Sequence, residues 1–581
     1  MELKRFQERV LGEIGGYLRL LAAQQAGGNH KHAAKDAWEE AFKVRPATPP
    51  YAERRNGLGE DLPTFCIKVP TGGGKTLLAT QVLGLAHSTI LKDRNGAGLV
   101  LWVVPSQQIY RDTLKELRDR RHFYRESLEF AVSRRIEVWE KHEVHRLTPG
   151  QLTSQLNILI VQLASTNRET KEQLKFFRDS GGNIVQHFPP EDRPEEHAKI
   201  KERASNLDLV GGALVATSLA NLVRLCRPAV VLDEGHRATS ALARGTIEGM
   251  NPSIVLELSA TPPEGANILV TVTGQELLKE EMIKLPINIA NSNAESWREC
   301  LAQAADRRRV LAAAAARCRR IAGRQIRPIV LVQVERTGVE QRDGKLVHAE
   351  DVREHLMERL GIPNSAIAVK SATTDNIEDR DLLDDGCPIE WIITKAALQE
   401  GWDCPFAYIL VSLAAGKSAR AMTQIVGRIL RQPDTERTGI RDLDECYVYC
   451  LRRSAADVVR DVKTALEQEG YEGNLLGVVD RSAGDAARKP QESPRIRKKF
   501  QRHYGRPFKG RIFLPRFCVK NPSSTEGLDY FRHLVSEVRP SSFDYAAIDA
   551  WDLDAELAAA GTTYIRITLD SVPAAERRRT E

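Results

Sequence analysis

Residues 64–91 read TFCIKVPTGGGKTLLATQVLGLAHSTIL, and this stretch decides the fold. Its first six residues form an apolar run of strand length, and KTLLATQVLGLAHSTIL, from Lys75, reads as a helix. Pro70, Thr71, Gly72, Gly73, Gly74, Lys75 and Thr76 make the glycine-rich turn between them. Glycine permits positive φ and lets backbone N–H groups close on phosphate oxygens, while a helix N-terminus favours an anion. In such a phosphate loop Lys75 neutralises the β- and γ-phosphates of ATP and Thr76 ligates Mg²⁺. The strict pattern has glycine at its first position, where this chain has Val69.

Outward from this unit, short apolar strands alternate with helical stretches. GLVLWVVP (98–105), NILIVQLAS (157–165), PAVVLDE (228–234) and SIVLELSAT (253–261) read as strands. The pattern then restarts with RPIVLVQV (327–334), AIAVKSA (366–372), IEWIITK (389–395) and AYILVSL (407–413). Apolar strands separated by helices argue for parallel sheets covered on both faces. The expected organisation is a first α/β unit over 1–290, a second over 291–475, and a basic linker with a small C-terminal α+β region over 476–581. Residues 1–24 read as a helix with Phe6, Val10, Ile14, Tyr17 and Leu21 on one face. Residues 25–60 read as loop or insertion. FKGRIFLPRFCV and TTYIRITL are expected strands of the C-terminal region.

Two further groups carry chemistry. Asp233 and Glu234 end an apolar strand, and adjacent carboxylates there need a cation or hydrogen bonds to hold them. Mg²⁺ held through Asp233, with Glu234 orienting the attacking water, satisfies both. Gln424, Gly427, Arg428 and Arg431 are spaced i, i+3, i+4, i+7 on one helical face, with Pro433 marking its end. Two arginines there suit a clamp on a γ-phosphate, contributing on the order of 10³–10⁵ in rate.

Composition excludes several classes. The 581 residues are 42% hydrophobic and 28% charged, with no apolar run long enough to span a membrane and no apolar leader at the start. Nine scattered cysteines fit reduced thiols in a cytoplasmic protein better than a disulfide framework. Net charge is +6, but residues 481–511 alone hold eleven Lys or Arg against Asp485 and Glu492, with Phe500, His503, Tyr504 and Phe508 interleaved. That is either a nucleic-acid footprint or a solvated basic linker.

In order, PTGGGKT, VVPSQQ (103–108), DEGH (233–236), SAT (259–261), TKAALQEGWD (394–403) and QIVGRILR (424–431) resemble motifs I, Ia, II, III, V and VI of superfamily 2 DExH-box helicases and translocases. KVPTGGGKT, DEGH and the EGWDCP turn look most like the Res (motor) subunit of type III restriction enzymes and its DEAD/DEAH-box relatives. The resemblance covers about residues 1–475. It implies two tandem RecA-like P-loop domains, an ATP-driven motor on DNA, with duplex favoured over RNA, and partnership with a methyltransferase or nuclease subunit. It also implies that Gln7 contacts adenine, that Gly401 and Asp403 line the interlobe cleft, and that His236, Ser259, Thr261 and Gln424 couple ATP state to nucleic acid. Thr217, Ser218, Asn221 and Thr394 become candidate backbone-phosphate contacts. An RNA helicase, or an ATP-gated DNA clamp that recruits other enzymes, are the alternatives.

The separation of Lys75 from Asp233 exceeds what a bare lobe needs, so part of 106–215 is expected to be an insertion. Restriction motors of this type usually carry a carboxylate-based nuclease, for which Asp461-Val462-Lys463 and FCVK (517–520) are poor matches. Nuclease activity is therefore not expected. HEVH (142–145) is one residue short of HExxH and reads as part of a charged helix, with no zinc.

Overall fold

The computed structural model describes residues 3–43, 48–162, 182–234, 241–290, 296–335, 346–370, 376–377, 380–394, 404–413, 429–451 and 564–567. Nine strands form in the first half: β1 Thr64–Lys68, β2 Gly98–Val104, β3 Ile136–Glu140, β4 Leu156–Gln162, β5 Leu209–Val210, β6 Leu214–Val215, β7 Ala229–Asp233, β8 Ile254–Ser259 and β9 Ile268–Thr271. Seven build one sheet in the order β3-β4-β2-β7-β8-β1-β9, with every pairing parallel. β5 and β6 pair separately as an antiparallel hairpin.

The second sheet holds β10 Ile287–Ala290, β11 Ile329–Gln333, β12 Ile367–Lys370, β13 Trp391–Thr394, β14 Ala407–Ser412, β15 Cys446–Cys450 and β16 Tyr564–Ile567. Its order is β12-β13-β11-β14-β15-β10-β16, and pairings among β10–β15 are parallel. The protein is thus an α/β chain with two successive parallel sheets. β2, β4, β11 and β14 are buried almost end to end, as strands covered on both faces must be. β10 already belongs to the second sheet, so the crossing lies between Thr271 and Ile287, ahead of the expected 291.

Three differences from the expected elements have physical causes. Residues 25–60 are not all loop. Helix α1 (Arg5–Ala26) is followed by α2 (Ala33–Phe42), whose small residues Ala33, Ala34 and Ala37 are buried, while the Trp38 ring meets Tyr17 of α1 edge-on at 6.1 Å. The five residues on the expected face of α1 are all buried. HEVH lies on a short 3₁₀ helix, Lys141–Arg146, instead of a longer charged helix. Part of the expected insertion, β3 and β4, is a full member of the first sheet.

By contact, residues 1–479 with 565–569 make one compact unit, and 480–564 with 570–581 a second. The basic stretch 481–511, Asp461-Val462-Lys463 and FCVK lie outside the described residues. No helix among the described residues is long and apolar enough to cross a membrane.

Candidate nucleotide site

β1 ends in the glycine turn, and helix α3 (Lys75–Thr89) begins directly after it. Gly72 and Gly74 take φ of +87° and +76°, the left-handed region that side chains resist. Gly73 is required for a different reason: a Cβ there would fall 2.4 Å from Val69 Cγ1 and 3.1 Å from the Pro70 carbonyl oxygen. Val69, at the departure from the strict pattern, is fully buried, and its N–H donates to the Ser259 carbonyl at 3.0 Å. The loop is therefore anchored to the end of β8.

The parallel register aligns the chemistry along one edge. Lys68 lies opposite Ser259, and Asp233 opposite Leu258, so the loop, the acidic pair and SAT emerge from the carboxyl ends of adjacent strands. In open α/β sheets this is the edge where ligands bind. Glu234 has φ of +52°, uncommon outside glycine, where the strand turns away. Its Oε1 accepts a hydrogen bond from Lys75 Nζ, and the two side chains are only 12% and 17% exposed. Ser259 is buried, and its Oγ accepts from the Thr261 N–H at 3.2 Å. A hydroxyl from Thr76 and a carboxylate from Asp233 are hard oxygen donors of the kind Mg²⁺ takes.

Gln7 is buried on the first turn of α1, where its Oε1 accepts from the Lys4 N–H at 2.9 Å. Its Nε2 would lie 3.0 Å from a Cβ added at Gly74, so the carboxamide abuts the phosphate loop. The same turn borders a cavity of about 530 Å³ lined by Lys4, Arg5, Phe6 and Arg9 facing Glu276 and Lys279.

The second sheet contributes Arg431. A methyl group at Gly72 would sit 3.4 Å from Arg431 Cγ and 3.6 Å from its Nε, so this side chain lies along the loop. The connecting segment holds it there. Ile283 bridges Arg431 antiparallel, the Lys284 N–H donates to the Leu430 carbonyl at 2.5 Å, and the Gln432 N–H donates to the Met282 carbonyl at 3.0 Å. Lys4 Nζ, from the residue that precedes α1, donates to the Thr435 carbonyl at 3.2 Å. Arg428, Gln424, Gly401, Asp403 and His236 lie outside the described residues.

One residue electrostatically coupled to Asp233 and Arg431 escaped sequence reading. Glu116 lies on helix α4 (Gln107–Arg118). Burial pushes its carboxyl up to about 7, the neighbouring charges of Asp112 and Asp233 add to this, and Arg431 opposes it. Burial raises the Tyr124 hydroxyl to about 12, with Glu116 adding to the rise and Arg431 opposing it. On an amphipathic helix such a glutamate reads as solvated, and nothing in the sequence signals otherwise.

Ser218 and Asn221, two expected nucleic-acid contacts, make hydrogen bonds within their own segment. Ser218 caps the helix Leu219–Cys226, its Oγ accepting from the Asn221 N–H at 3.2 Å. Asn221 is fully buried and closes the β5–β6 hairpin. Its Oδ1 accepts from the Asp208 N–H, and its Nδ2 donates to the carbonyls of Asp208 and Ala216. Both side chains are committed to local structure. Thr217 is half-buried beside them, and Thr394 is buried at the end of β13 with its carbonyl accepting from Val334. In the HEVH segment, ligand atoms of Glu140, His142 and Glu143 lie within 4.8 Å of one another, but Arg118 pairs with both carboxylates.

Residues 28–264 match the family described as type III restriction enzyme, res subunit. No curated protein matches the chain. Among solved structures it is similar to the ATP-dependent Type ISP restriction-modification enzyme LlaBIII bound to DNA, at 12% identity and a TM-score of 0.37, covering 70% of this chain and 28% of that one. It is also similar to S. cerevisiae Dbp5 bound to RNA and ADP BeF3, at 12% identity, a TM-score of 0.35, and coverage of 75% and 88%. A third is a fragment of a putative HsdR subunit of a type I restriction enzyme from Vibrio vulnificus YJ016, at 13% identity, a TM-score of 0.33, and coverage of 70% and 62%. The chain spans less than a third of the first of these. Residues 28–264 are thus similar to the res subunit, and the phosphate loop and the acidic pair both lie within the matched span.

Proposed function

We propose that this chain is an ATP-driven motor that translocates on double-stranded DNA, serving a restriction or phage-defence system with a methyltransferase or nuclease partner. The observation that carries the reading is the meeting of Arg431 with Gly72 beside the Lys75–Glu234 pair. Residues from two sheets then serve one triphosphate. Lys75 and the loop N–H groups bind the β- and γ-phosphates, and Glu234 orients and accepts a proton from the attacking water. Thr76 and Asp233 would hold Mg²⁺, which supplies charge neutralisation at the phosphates. Arg431, with Arg428 from the same sequence pattern, stabilises charge on the departing γ-phosphate. Gln7 and the cavity beside it suit the base. Because the arginine contact depends on the γ-phosphate, hydrolysis removes a differential contact between the lobes and lets them separate. A strand held across both lobes would advance once per cycle.

The test is ATP turnover without polymer and with duplex DNA, single-stranded DNA or RNA, for the wild type and Glu234→Gln. Duplex DNA is expected to stimulate most, and Glu234→Gln to lose about 10²–10⁴ of the rate. Preferential stimulation by RNA would sink the DNA assignment. Slow, unstimulated turnover with ATP-dependent retention of DNA would favour a clamp.

A further inference from the structure

Lys284 lies in the segment that leads from the first sheet to the second, and its side chain is fully buried. Its ammonium donates to the carbonyl oxygens of Pro405 at 2.8 Å and Ala407 at 2.7 Å, and it stands 3.9 Å from the centre of the Tyr408 ring. In the sequence these acceptors directly follow Gly401-Trp402-Asp403-Cys404. Its main-chain N–H holds Leu430, the residue before Arg431. No carboxylate among the described residues forms an ion pair with it. A buried ammonium is costly, and an apolar side chain would fill the space without that cost. Burial lowers its affinity for a proton to about 7, with Cys446 and Cys404 close by. Such a group needs a reason beyond packing, and the geometry supplies one, since a single residue ties the connector between the sheets both to Pro405–Ala407 and to the segment that carries Arg431.

We propose that Lys284 is a positioning residue for Arg431: it locks the 282–284 connector to the Pro405–Ala407 turn, so that the arginine-bearing segment paired with that connector meets the phosphate loop in one register. This rests on the ATPase reading above and extends it to a residue that touches no substrate. Arg324 complements the lock on the far side, donating to the carbonyls of Pro433, Glu436 and Arg437.

A double-mutant cycle tests it. Steady-state ATPase is measured for the wild type, Lys284→Met, Arg431→Ala and the double variant, with Lys284→Gln as a second substitution that keeps a donor. Lys284→Met should lower kcat at least tenfold with KM for ATP within about twofold, and cost nothing further once Arg431 is alanine. Equal fold-losses in both backgrounds, or a loss confined to KM, would overturn the inference. Should neither substitution fold, amide exchange decides. In the wild type ADP–fluoroaluminate should slow residues 282–284 and 430–432 together, an effect absent from Arg431→Ala, and protection of 430–432 alone contradicts the proposal. A wild type that hydrolyses no ATP refutes the functional reading itself, whereas an active wild type with an additive cycle refutes only the role of Lys284.

Discussion

At Gly73 the reason for glycine is crowding, not backbone conformation. A Cβ would meet Val69 Cγ1 at 2.4 Å, and both Val69 and the β8 carbonyl it binds are fixed in the core. Gly73→Ala must therefore shift the loop, at a cost of about 1–3 kcal/mol. ATP affinity should fall by roughly tenfold or more, read by titration, with a modest fall in the unfolding midpoint; unchanged affinity would mean that the loop is not the phosphate cradle. Glu116 makes a different prediction. Burial raises its carboxyl from 4.5 to about 7, so the folded chain holds a proton that the unfolded chain has released. Its contribution is most favourable below about 4.5 and is lost as pH rises through 7. Glu116→Gln should flatten the fall in thermal midpoint between pH 5 and 7.5. An identical slope in wild type and variant would show that Glu116 is solvated.

Elements were legible where an apolar run had strand length and clear ends, as in β1, β2, β4, β7, β8, β11, β13 and β14. The missed strands explain themselves physically. β3 (IEVWE) is an edge strand that alternates with an exposed Glu137, and β15 (CYVYC) is buried through cysteine and tyrosine in place of an aliphatic run. α2 hides between Gly-rich and Pro-rich turns, and only its packing on α1 declares it. Lys75, Glu234 and the glycines could be found because phosphate chemistry dictates their types in a short span. Arg431 needed its i, i+7 partners, and Glu116 and Lys284 carry no local signature, since both depend on contacts made far along the chain. Asn221 also depends on its context, because a polar residue before the acidic strand looks available until the hairpin closes on it. Asn221→Ala should lower stability by roughly 1–3 kcal/mol in chemical denaturation, with DNA affinity of the folded protein unchanged. Weaker DNA binding at unaltered stability would restore it as a phosphate contact.

For the molecule as a whole, two parallel sheets in series have functional meaning only if they act on one ligand. The connector 282–284 pairs with 430–432, and Lys4 reaches Thr435, so the second lobe's arginine segment is bound both to the crossing chain and to the residue that precedes the helix carrying Gln7. Motion between lobes would then pass through these few hydrogen bonds, and nucleotide state would set whether Arg431 engages. The most direct measurement compares ADP with ADP–fluoroaluminate binding in the wild type and Arg431→Ala. ADP affinity should agree within about threefold, since the cradle is intact, whereas the fluoroaluminate complex, which mimics the transferring phosphate, should weaken by about 10³ or more in the variant. Equal affinities for the fluoroaluminate complex in both proteins would contradict a pocket shared by the two lobes.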